Sequence, residues 1–81
     1  MITLYVGNLP WATTSEELTA YFSEYGQVVD SRIIKEKETN RSRGFGFVEV
    51  VAADAEKMIA KLNGKEFHGR QLIVNQAKPR D

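Results

Sequence analysis

Apolar and polar residues alternate in four stretches of this chain and recur at helical spacing in two others. Leu4-Tyr5-Val6-Gly7-Asn8-Leu9 alternates, with Leu4 and Val6 on one face and Thr3 and Tyr5 on the other. It predicts a first strand that Pro10 ends. Thr14-Ser15-Glu16-Glu17 has the form of a capping box, in which the Thr14 hydroxyl accepts from the Glu17 amide and the Glu17 side chain reaches back. Leu18, Phe22 and Tyr25 follow at i, i+4 and i+7, one apolar stripe of a first helix, and Gly26 suits the position just past its end. Val28 to Lys35 is β-branched and alternating, and predicts a second strand with Ser31 and Ile33 inward and Arg32 and Ile34 outward. Glu36 to Ser42 is polar, carries the turn-like pair Thr39-Asn40, and predicts a long, mobile hairpin loop. After the next strand, Asp54 suits a helix N-cap, and Ala55, Met58, Ile59 and Leu62 form a second buried stripe that Asn63-Gly64 stops. Lys65 to Gly69 reads as a connector, with His68 as a turn residue lacking a second ligand or base partner. Arg70 to Gln76 predicts the last strand, with Leu72 and Val74 inward and Gln71, Ile73 and Asn75 outward.

The third strand, Arg43-Gly44-Phe45-Gly46-Phe47-Val48-Glu49-Val50, breaks the usual rule for which residues face water. Alternation puts Gly44, Gly46, Val48 and Val50 on one face, small and apolar enough to sit on a core. The other face carries Arg43, Phe45, Phe47 and Glu49, two rings and a cation where solvent is expected. An exposed apolar patch marks a binding surface, and flat rings beside an arginine suit stacked nucleobases and their phosphates. If the Phe pair were core instead, both glycines would face solvent, where they only weaken a strand.

The order is strand, helix, strand, strand, helix, strand. This is the split βαβ arrangement of an α+β, ferredoxin-like βαββαβ sandwich: a four-stranded antiparallel sheet with two helices on one face. The other face, bearing Tyr5, Phe45, Phe47, Arg32, Ile34 and Ile73, is left open. No internal repeat, low-complexity stretch or linker interrupts the pattern, and a single domain is expected over residues 1–81. Trp11 falls in the loop after the first strand; it either packs against the sheet rim, the expected place, or extends the open platform.

Composition narrows the function classes. The chain has 81 residues, 42% of them apolar, enough for one modest core. With no cysteine there is no disulfide framework and no thiolate chemistry, which fits a reducing compartment: the cytoplasm of a bacterium, or the nucleus or cytoplasm of a eukaryote. No apolar run approaches the roughly 20 residues that span a bilayer, so no membrane association is expected. Eleven basic and eleven acidic side chains cancel, so net charge by itself does not point to nucleic acid. Their distribution does more. Arg32, Lys35, Lys37, Arg41 and Arg43 cluster around the central strands, whereas Glu16, Glu17, Glu24, Asp54 and Glu56 fall in the helices, so that one face is expected to be basic. Glu36 and Glu38 interrupt that cluster.

The third strand resembles the longer ribonucleoprotein motif of the RNA recognition motif family, and Leu4 to Leu9 resembles the shorter one. Six of the seven specified positions of the longer pattern match; Val50 stands where it has an aromatic. The likeness extends through Ala55-Met58-Ile59, Asn63-Gly64, Gly69-Arg70 and Leu72-Val74. Short single-domain bacterial and glycine-rich plant RNA-binding proteins are similar throughout. The resemblance implies that Tyr5 and Phe45 each stack under a base, that Phe47 lies against the sugars between them, and that Arg43 pairs with a phosphate. It also implies RNA contacts from Asn75, Gln76 and Lys78, and more weakly from Arg32, Gln71 and Ile73. The expected partner is single-stranded RNA, with single-stranded DNA competing in part, bound by a monomer without cofactor, metal or catalysis.

Two other readings use the same fold. A protein-interaction module predicts missing aromatics or a helix lying over the sheet, and the three aromatic positions are filled. An acylphosphatase-like enzyme places an arginine in the loop after the first strand, and Asn8-Leu9-Pro10-Trp11-Ala12 has none. Gly44 and Gly46 do not begin a dinucleotide-binding G-x-G-x-x-G, because Glu49 takes the third glycine's place.

Overall fold

Thr14 opens the first helix as expected. Its hydroxyl accepts from the Glu17 amide at 3.2 Å, and the Glu17 carboxylate accepts in return from the Thr14 amide, so two otherwise orphaned donors are satisfied at once. The computed structural model describes residues 1–39 and 42–77, the side chain of Ser42 excepted. In chain order the elements are β1 (Ile2–Gly7), α1 (Ser15–Ser23), β2 (Val28–Lys35), β3 (Ser42–Val50), α2 (Ala52–Leu62), β4 (Glu66–Phe67), β5 (Arg70–Gln71) and β6 (Ile73–Gln76). Strands β2, β3, β1 and β6 lie side by side in that order, each pair antiparallel.

The core explains why both helices sit on one side. Leu4 and Val6 from β1, Val48 and Val50 from β3, and Val74 from β6 are fully buried. They share one cluster with Leu18 and Phe22 of α1 and Ala55, Met58 and Leu62 of α2. Each of these side chains except that of Ala55 contributes roughly 1.5–3 kcal/mol on leaving water. Val50, an aliphatic residue where an aromatic was expected, faces this core and fills its place there.

Ser31, the polar residue on the inward face of β2, is hydrogen-bonded rather than stranded. Its hydroxyl donates to the Ser15 carbonyl at 3.0 Å and also pairs with the Thr19 hydroxyl, tying the edge strand to the start of α1. The β2–β3 register shifts near Ile33. There the backbone of β2 comes so close to Gly46 that a methyl group at position 46 would fall on the Arg32 carbonyl oxygen. Gly46 is therefore required by close strand approach.

Several expectations are corrected. Asp54 is not the N-cap of α2, which begins at Ala52 behind Val51 with no side-chain cap. Asp54 lies in the first turn, and its Oδ2 accepts from the Gln27 amide at 3.0 Å, joining the start of α2 to the segment before β2. Helix α1 ends at Ser23, capped by the backbone of Glu24, so Tyr25 lies beyond it. Gly26 is not its left-handed terminator. A Cβ at Gly26 would strike Met58 Sδ and Asp54 Cβ, so that glycine makes room for α2.

The connector after α2 holds a small hairpin, β4 with β5, closed by His68 and Gly69 at φ of 49° and 82°. It buries Phe67 against Tyr21, with ring centroids 4.8 Å apart. His68 has a partner after all: Nε2 lies 3.0 Å from Glu17 Oε2. The expected last strand is divided at Leu72, whose amide and carbonyl bond to Lys65 and Gly64 instead of to β1. Of the hairpin loop before β3, Asn40 and Arg41 lie outside the described residues.

The hydrogen bond from Gln27 holds the Asp54 carboxyl below its ordinary range. A depressed folded-state value stabilises above the ordinary carboxylate range and is lost as pH falls through that lower value. Asp54→Asn is therefore expected to cost stability at neutral pH and less at a pH below the ordinary carboxylate range. Urea denaturation at both pH values checks this; an equal gap at both would contradict it.

Candidate nucleic-acid interface

The register that buries Leu4 and Val48 places Tyr5 directly opposite Phe47 on the other face. Arg32 on β2 pairs with Phe47, and Asn75 on β6 pairs with Tyr5. One row therefore crosses the whole open face: Arg32, Phe47, Tyr5, Asn75. Phe45 lies two residues along β3 from Phe47, and Ile73 pairs with Gly7 at that level on the other side.

The three rings form one cluster. Tyr5 and Phe45 are 5.7 Å apart, tilted by 34°; Tyr5–Phe47 and Phe45–Phe47 are each 6.1 Å apart and edge-on, at 64° and 86°. All three are half-buried, flanked at their edges but uncovered by any helix. The Arg43 guanidinium carbon stands 6.0 Å from the Phe45 centroid, the outer limit of a cation–π contact.

Two backbone features set the ring positions. The Tyr5 ring lies back over Gly7, where a Cβ would meet its hydroxyl, Cε1 and Cζ within 3.0 Å. Beyond Gly7, Asn8 turns the chain with φ of 60°; its Nδ2 donates to the Gln71 carbonyl at 2.7 Å and its Oδ1 accepts from Arg70 Nη2 at 2.9 Å. The Leu9 amide then donates to the Gly44 carbonyl at 2.8 Å. The exit from β1 is thus fixed to β3 on one side and to the hairpin on the other.

Tyr5, Phe45, Phe47, Arg43, Arg32, Ile73 and Asn75 are brought together on this face. Gln76 is exposed but pairs with Leu4, so alternation turns it away from the side that Asn75 occupies. Gln71 belongs to the small hairpin rather than to the main sheet. Lys78 and Arg41 lie outside the described residues.

The open face is not uniformly basic, which corrects the expectation drawn from charge distribution. Asp30 and Glu49 oppose each other on β2 and β3, one row beyond Arg32 and Phe47, and neither has an ion-pair partner among the described residues. With Thr3, Arg32 and Phe47 they border a cavity of about 510 Å³. The face therefore runs from cationic, at Arg43 and Arg32, to anionic, at Asp30 and Glu49. Charge counting along the chain missed this because cross-strand register, not sequence distance, sets the neighbours. Trp11 also departs from expectation: it does not pack on the rim but stands 76% exposed.

The profile of the RNA recognition motif matches residues 4–73 of the chain. Glycine-rich RNA-binding protein 1 of Mycosarcoma maydis is 50% identical over 78 residues, which cover 95% of this chain and 45% of that protein. The chain spans about half the length of the first curated relatives it matches. The crystal structure of RNA binding protein PG1 superposes with a TM-score of 0.92 at 45% identity, over 100% of this chain and 99% of its own. One chain of a Sxl-lethal protein/RNA complex superposes with a TM-score of 0.86 at 35% identity, over 94% of this chain and 47% of its own.

The packing of Tyr5 over Gly7 makes a structural prediction. Gly7→Ala is expected to drive the ring off the strand and break its contact with Phe45. NMR should show altered Tyr5 and Phe45 ring signals while the α2 amides stay in place. Unaltered ring signals would mean that Gly7 does not set the Tyr5 position.

Proposed function

The chain belongs to the RNA recognition motif family, and on that basis we propose that the open face of its sheet binds single-stranded RNA. The observation that carries this reading is the cluster of three uncovered rings on one sheet face, with Arg43 and Arg32 at its border. Tyr5 and Phe45 each stack one base, and their 34° tilt suits two neighbouring bases that splay slightly. Phe47, edge-on to both, lies against the sugars between them. Arg43 pairs with a phosphate, and Arg32 follows the backbone toward the β2 edge. Asn75, beside Tyr5, reaches a base edge with its amide, and Ile73 adds apolar contact to the base on Phe45. Lys78, two residues after β6 in the sequence, adds a cation for the RNA backbone. The carboxylates of Asp30 and Glu49 repel phosphates and so keep the RNA backbone near the two arginines.

Stacking contributes about 1–3 kcal/mol per base. Two bases then give roughly 2–6 kcal/mol, at best a dissociation constant of about tens of μM. Phosphate contacts supply the rest and weaken with salt. The domain acts as a monomer that binds about two to four nucleotides on this platform with limited sequence preference. Few of these contacts read the 2′-hydroxyl, so single-stranded DNA competes in part, whereas a duplex keeps its bases stacked on each other. The reading is of a binding module rather than a catalyst: among the described residues the chemistry on this face is flat rings, amides and fixed cations, with no nucleophile–base pairing. Among the described residues no group of three or more His, Cys, Asp or Glu is placed to hold a metal.

Tyr5→Ala and Phe45→Ala are each expected to weaken binding at least about fivefold, since a lost stack is worth about 1–3 kcal/mol. Both side chains lie outside the core cluster, so the fold should survive. Fluorescence anisotropy with a random single-stranded RNA pool, alongside circular dichroism, checks this. Normal binding by both folded variants would overturn the stacking reading.

A further inference from the structure

We propose that Arg70, on the small β4–β5 hairpin outside the main sheet, is a positioning residue for RNA. It sets the two stacking rings through Asn8 and does not touch the nucleotide chain. The inference rests on the RNA-binding reading and gives the hairpin a part in it. Asn8 is the residue that has to be held. Its φ of 60° lies in the left-handed region, which costs a residue with a side chain free energy, although asparagine tolerates it better than most. Such a conformation persists only where the surroundings over-determine it. Here they do: Nδ2 donates to the Gln71 carbonyl at 2.7 Å, and Oδ1 accepts from Arg70 Nη2 at 2.9 Å and from Arg70 Nε at 3.3 Å. The Asn8 side chain is exposed, yet both its heteroatoms are bonded to the hairpin rather than left to water.

The hairpin can hold Asn8 because it is itself anchored to the helix layer. Phe67 is buried with its ring 4.8 Å from that of Tyr21, and His68 Nε2 stands 3.0 Å from Glu17 Oε2, so two adjacent hairpin residues grip α1. Leu72, just past the hairpin, bonds through its amide and carbonyl to Lys65 and Gly64 at the end of α2. Arg70 carries that rigidity across to the exit of β1. It spends two donors of its planar fork on one neutral oxygen, a geometry that fixes the orientation of Asn8.

The two neighbours of Asn8 connect it to the rings. Gly7, before it, is the seat of Tyr5: a Cβ there would lie 2.7 Å from the Tyr5 hydroxyl oxygen. Leu9, after it, donates its amide to the Gly44 carbonyl at 2.8 Å, between Arg43 and Phe45 on β3. The turn at Asn8 therefore ties the seat of one stacking ring to the strand that carries the other. The 5.7 Å separation and 34° tilt of Tyr5 and Phe45 depend on that tie. If Asn8 is released, the rings keep their strands but lose their fixed relation, and a pair of bases no longer meets both at once.

A double-mutant cycle tests this on the intact protein. Arg70→Ala removes the grip; Asn8→Gly removes the side chain it holds but keeps the left-handed backbone accessible. Both positions are exposed, and circular dichroism confirms the fold of each variant. Anisotropy with a random single-stranded RNA pool is expected to show each single variant weakened about two- to thirtyfold, the range for side chains that act on a site without touching it. The double variant is expected to bind no worse than Asn8→Gly alone, because Arg70 acts through Asn8. NMR without RNA should show shifted Tyr5 and Phe45 ring signals in both single variants, with the α2 amides in place. Additive losses, or a salt dependence in Arg70→Ala shallower by about 0.7 in log–log slope, would make Arg70 a direct phosphate contact and overturn the positioning role. Parent-like affinity or unmoved ring signals in folded Arg70→Ala would overturn it too, while binding that Phe45→Ala weakens leaves the platform standing. If the folded parent does not bind, or binds independently of Phe45, the RNA reading fails and the positioning role falls with it.

Discussion

The pairing of Tyr5 with Phe47, and of Leu4 with Val48 beside it, decides which side of this protein is core and which is surface. A strand has a period of two, so a slip of β1 by one residue against β3 would turn Tyr5 into the core and the fully buried Leu4 and Val6 into water. That exchange is resisted by the core, where Leu4, Val6, Val48 and Val50 are sealed under both helices at roughly 1.5–3 kcal/mol each. The aromatic face inherits its geometry from this register. It needs no packing of its own to stay in place.

Small residues do the complementary work. Gly46 lets β2 approach β3 closely, which brings Arg32 beside Phe47; Gly7 leaves the space that Tyr5 occupies. Glycine weakens strand interiors, and uncovered rings forgo burial. Gly7 and the uncovered rings lie on the side of the sheet opposite the core, where they shape a surface, whereas Gly46 lies on the core side. The Asp30 and Glu49 pair follows the same logic: like charges placed directly across a sheet destabilise it, yet here they give the platform a polarity that a wholly basic face would lack.

Much of this was legible in the sequence, and the reasons are local. Alternation in β1 and β3 and the capping box at Thr14 depend on neighbours a few residues away, so pattern alone locates them. The open ring face follows once both helices are placed on one side. What sequence patterns could not reveal depends on distant contacts. Asp54 looked like a cap because acceptors favour helix starts, but its partner is Gln27, 27 residues away in sequence. Ser31 looked misplaced until α1 supplied the Ser15 carbonyl. Phe67 sat in a stretch too short to show a period, and the hairpin that buries it is two residues per strand. Trp11 is the opposite case: its chemistry favoured burial, but the buried residues on either side hold it out.

The central claim is that single-stranded RNA lies on the uncovered sheet face and not elsewhere. NMR chemical-shift mapping of the parent protein with a random single-stranded RNA tests it most directly. The account predicts that the largest changes fall on the Tyr5, Phe45 and Phe47 rings and the Asn75 and Arg43 amides, with the amides of α2 left in place. Changes concentrated on the helices, or none on the three rings at saturation, would contradict it.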